Sequence, residues 1–124
     1  VLALVHGYLD ILSGLIPNNP AQFPKPWNLG PQDTRQYSVR EVLNLMSANW
    51  QEPNLRFMEN PLPEANVLAL DSSLARNQLN WISTRNTEQV VSDTATWYRE
   101  FYQSPEDARL ITLAQIESWR KEII

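Results

Sequence analysis

Acid–base or nucleophilic chemistry in this chain has few residues to draw on: one histidine, His6, and three carboxylates around a proline-rich stretch, Glu59, Glu64 and Asp71. A Ser/His/Asp arrangement needs an imidazole that takes the proton of a serine held on a sharp turn. His6 instead sits beside Gly7 in an apolar run, no G-x-S-x-G turn exists, and the histidine reads as a partly buried or interface residue. Paired carboxylates do acid–base work when their surroundings separate their pKa values. Asp71 stands just before a helical pattern, so a capping role is favoured over catalysis. Glu64, next to Pro63, has no helical or capping duty; surface solvation is the first reading and ligand contact the second. The chain has no cysteine, which removes disulfides, thiolate metal sites and cysteine nucleophiles. One histidine and carboxylates without calcium-loop spacing give no metal site. A dinucleotide loop needs three glycines within about seven residues, and the glycines here are Gly7, Gly14 and Gly30. The same shortage excludes a phosphate-cradling G-x-x-x-x-G-K loop. None of the four tyrosines has a lysine four residues on. No catalytic residue is assigned.

The elements that would position these residues are mostly helical. Apolar residues recur at helical spacing from Leu2 to Ile16 and stop at Pro17. Ser38 and Glu41 form a capping box ahead of the stripe Val39, Val42, Leu43 and Met46, a helix running to about Trp50. Asp71 caps a helix over Ser72–Leu79. Asn86 with Gln89 opens a long amphipathic helix through Val90, Val91, Thr94, Trp97, Tyr98 and Phe101, and Ser104-Pro105 opens the last one. Short apolar runs at Trp27–Leu29, Asn54–Met58 and Val67–Leu70, separated by prolines and Gly30, predict strands and a small sheet. The expected fold class is therefore α+β, a small mainly helical lobe with short strands. Trp81 and Trp97 are expected in its core.

Composition agrees with one folded unit. The chain has 124 residues, 43% hydrophobic and 19% charged, with five tryptophans, and a chain of this length buries about two-thirds of its unfolded surface. A net charge of −4 with scattered Lys and Arg offers no footprint for nucleic acid or an anionic membrane. The apolar opening lacks a basic lead, contains His6 and Asp10, and is too short to span a bilayer. The absence of cysteine fits a reducing compartment, with cytoplasm as the default. The first residue is valine and the chain enters mid-element, which raises the expectation of a fragment or processed chain.

From Pro63 onward, P-E-A-N-V-L-A-L-D-S-S-L-A-R-N-Q-L-N-W resembles the C-terminal pattern H-E-A-x-x-L-x-L-D-x-S-K-A-x-x-x-L-G-W of nucleotide-sugar-modifying extended short-chain dehydrogenases. Glu64, Ala65, Leu68, Leu70, Asp71, Ser73, Ala75, Leu79 and Trp81 match. T-A-T-W-Y-R resembles their T-V-x-W-Y-R, and W-N-L-G-P their W-N-F-G-P. The opening VLALVHGYLDIL and the tail residues Thr112, Leu113, Gln115 and Ile116 look like one branch, the CDP-glucose 4,6-dehydratases. The resemblance covers nearly the whole chain. It implies an N-terminal Rossmann domain, missing here, that holds NAD, oxidises the sugar at C4, eliminates water across C5 and C6 and returns the hydride to C6. Residues 1–124 are then a single partial domain, the lobe that binds the sugar nucleotide, a CDP-sugar, with no cofactor in this chain and no activity by itself; its helical tail is a lid and a support. Glu64 is the matching residue placed near nucleotide. The pattern departs at Ala3 and Leu4 (for Glu and Pro), at Pro63 (for His) and at Leu74 (for Lys), which removes polar groups from the expected ligand side. Two other readings stand beside this one: a stand-alone binding or oligomerisation module derived from such an enzyme, and an enzyme of unrelated chemistry built on Glu59, Glu64 and His6. The first helix, left without a Rossmann partner, is expected to make the chain a homo-oligomer.

Overall fold

The computed structural model describes residues 1–15, 26–31, 35–52, 54–56, 58 and 69–123. They form five α-helices, α1 (Leu2–Leu15), α2 (Val39–Ser47), α3 (Ser73–Leu79), α4 (Thr87–Gln103) and α5 (Ala108–Ile123), with a 3-10 turn over Pro105–Asp107 before the last. The expected α+β class is overturned: the described residues are mainly helical and contain no strand. Trp27–Leu29 is irregular, as are the described parts of Asn54–Met58 and Val67–Leu70. A strand exists only when a neighbour accepts its amides and donates to its carbonyls. Among the described residues these short runs have no such neighbour, and the prolines between them offer no amide to a ladder.

Helix boundaries follow local signals closely. Ser38 and Glu41 close both bonds of the capping box at α2: the Ser38 hydroxyl accepts the Glu41 amide, and the Glu41 carboxylate accepts the Ser38 amide at 2.8 Å. The helix ends at Ser47, short of the expected Trp50, which lies in the following turn. Helix α3 starts one residue later than expected, after Ser72, while Asp71 Oδ1 accepts the Ser73 amide at 2.8 Å and so still serves the helix start. It stops at Asn80, whose φ of 52° is left-handed, a conformation that asparagine adopts more readily than other residues bearing a Cβ.

The chain divides into two compact units, each assembled from segments distant in sequence: Val1–Thr34, Leu70–Thr87 and Ile116–Ile124 in the first, Arg35–Ala69 and Glu88–Gln115 in the second. The first is organised around Trp81, 3% exposed and accompanied by buried Ala75 and Ser72. The Trp81 indole N–H donates to the Ala3 carbonyl at 3.0 Å, and Gly7 lets α1 lie against the ring: a Cβ there would stand 2.8 Å from Nε1 and 2.7 Å from Leu29. The last turns of α5 close this unit through Trp119 Nε1 to Thr84 Oγ1 at 3.1 Å and the Arg85–Glu122 ion pair at 2.8 Å.

In the second unit α4 buries Val91 and Ala95. Trp97, expected in the core, is half-buried; its ring stacks on Phe101 at 5.1 Å and its N–H donates to Thr112 Oγ1 at 2.9 Å. The side-chain amide of Gln115 donates to the Asp93 carbonyl at 2.8 Å, tying α5 to α4.

Candidate functional site

Glu64, the residue assigned to ligand contact, lies outside the described residues, as do Glu59 and Pro63. The chain that follows them is well defined. Leu70 is exposed, Gly30 approaches so closely that a Cβ on it would stand 3.3 Å from the Leu70 side chain and 3.1 Å from the Ser72 hydroxyl, and Ser72 is buried. Asp71 stays at the surface, and the hydroxyl and amide of Ser73 hold its carboxyl below the ordinary 3.8, with Arg76 adding to the effect. Asp71 is thus a carboxylate already engaged in starting α3, in agreement with the capping reading. Trp27 reaches across to α3, its indole N–H 3.4 Å from Gln78 Oε1. The W-N-L-G-P and L-D-S-S segments that carry the family resemblance are therefore side by side, joined by packing at Gly30.

The other weighed residues are not brought into a catalytic arrangement. His6 Nδ1 lies 3.4 Å from the Asp10 carboxylate one turn on, and its ring meets Trp119 edge-on at 5.4 Å. Those contacts hold α1 against α5, leave the histidine half-buried and supply no nucleophile. Where the resembled pattern has a lysine, Leu74 is exposed on α3. Where it has Glu and Pro, Ala3 is half-buried with its carbonyl engaged by Trp81, and Leu4 is exposed. Among the described residues no group of three or more metal-ligating side chains occurs, and no helix is long and apolar enough to cross a membrane. Gly7 and Gly30 are each engaged in close packing, Gly7 against Trp81 and Leu29 and Gly30 against Leu70 and Ser72.

Two constellations escaped the sequence reading. Arg35 lies 4.4 Å above the Tyr37 ring and bridges Glu41 at 3.0 Å and Glu88 at 3.5 Å, while the Tyr37 hydroxyl donates to Glu88 at 3.3 Å. The backbone amide of Ser38, then its hydroxyl, then Arg35 hold the Glu41 carboxyl below its ordinary 4.5. Trp50, Tyr98 and Tyr102 form an aromatic group with ring centroids 5.6 to 6.3 Å apart and near-parallel planes. Trp50 also walls a small apolar hollow of about 140 Å³ with Leu43 and Met46. The sequence signal for the second group was the i, i+4 spacing of the two tyrosines; nothing local pointed to Trp50 as their partner.

A comparison with curated proteins finds the chain similar to the CDP-glucose 4,6-dehydratase of Salmonella typhimurium (strain LT2), 26% identical over 121 residues, which are 96% of this chain and 33% of that protein. The relationship is distant, and the chain spans about a third of the length of this relative. No protein-family model matches the chain, and no solved structure matches it.

Proposed function

We propose that this chain is the C-terminal, sugar-nucleotide-binding part of a CDP-glucose 4,6-dehydratase-like enzyme and is catalytically incomplete by itself. The observation that carries the reading is the similarity to that enzyme along 96% of the chain. The matching segments W-N-L-G-P and L-D-S-S meet at Gly30, which supports a common ligand-side surface for this lobe. Glu64 contacts the nucleotide in this reading, and NAD is held by a part of the enzyme outside these residues, together with the groups that move the hydride and the proton. What this chain contributes is binding and orientation of the CDP end. A stand-alone module is the second reading, favoured by the apolar outer face of α1.

Calorimetric titration with CDP-glucose, CDP and NAD tests this. Binding of CDP and CDP-glucose with no saturable binding of NAD below the millimolar range is expected, and Glu64→Ala should weaken CDP binding about tenfold, the loss of one charge-assisted hydrogen bond. Failure of CDP to bind, or binding unchanged in Glu64→Ala, removes the assignment of Glu64; tight NAD binding overturns the division of labour.

A further inference from the structure

We draw no further inference here: the strongest candidate, the surface aromatic group of Trp50 after α2 with Tyr98 and Tyr102 on α4, beside the small hollow lined by Leu43 and Met46, is an unpartnered face, and nothing in the structure shows what covers it.

Discussion

Trp81 joins α1, the Leu29 segment and the end of α3 in one contact, and its neighbour Gly7 shows how tight that contact is. Alanine favours a helix over glycine by about 1 kcal/mol, so on propensity alone Gly7→Ala would stabilise α1. The added Cβ, however, would meet Leu29 Cδ1 at 2.7 Å and Trp81 Nε1 at 2.8 Å. The leucine methyl can turn aside; the indole is buried and held by the Ala3 carbonyl. Overpacking costs about 1–3 kcal/mol, and Gly7→Ala is expected to lower stability by about 1 kcal/mol in a denaturant titration, with equal or higher stability showing that the ring moves. Truncation of the indole itself should be worse: Trp81→Ala is expected to cost about 3–5 kcal/mol. Trp97→Ala should cost less, about 2 kcal/mol, because Trp97 is half-buried and loses mainly its stack on Phe101 and its bond to Thr112. A larger loss at Trp97 than at Trp81 would reverse the assignment of core and rim.

Among the elements, α2 depends most visibly on ionisation. Glu41 is both the capping-box carboxylate and the partner of Arg35. Its folded-state pKa is depressed below the ordinary 4.5 by Ser38 and Arg35, so its contribution to stability is fully present above that value and is lost as pH falls through the depressed one. Glutamine retains a neutral capping acceptor but not the charge. Glu41→Gln is therefore expected to be less stable than the parent near neutrality and to approach it on acidification below about pH 4, as followed by thermal melts across pH. Parallel profiles for the two proteins would mean that the Arg35–Glu41–Ser38 cluster is not formed in solution. The box itself can be probed with Ser38→Ala, expected to cost about 1 kcal/mol.

At the scale of the whole molecule, neither compact unit is a continuous stretch of chain. The first unit takes its final piece from Ile116–Ile124, and that piece carries Trp119, which donates to Thr84 and touches His6, and Glu122, the partner of Arg85. Arg85 is itself mostly covered, and removing the partner of a desolvated charge costs more than the pair contributes as an exposed bridge. A chain ending at Gln115 is expected to melt well below the full chain and to lose protection of the Trp81 indole from quenchers. Unchanged Trp81 quenching would show that α5 is dispensable to the first unit.

The sequence by itself determined what is written in neighbouring residues. The capping box at Ser38 and the Asp71 bond that serves the start of α3 are interactions over three and two positions, and α4 forms where its periodicity predicts a helix, although Val90 and Tyr98 of the expected stripe are exposed and the buried face is Val91 with Ala95. The similarity to a CDP-glucose 4,6-dehydratase was also legible, because it rests on an ordered series of residue types. The pairing of distant residues was not. The Trp81 bond to Ala3 spans 78 positions and the Arg99 bond to the Asn49 carbonyl spans 50, and no local pattern encodes either. Among the described residues the expected strands are absent for the same reason: a short apolar run at Trp27–Leu29 is equally compatible with strand and irregular chain, and only the presence of a hydrogen-bonding neighbour makes it a strand. The side of α1 that faces inward was likewise settled by tertiary packing, since the fit of Gly7 against a buried indole chose the face.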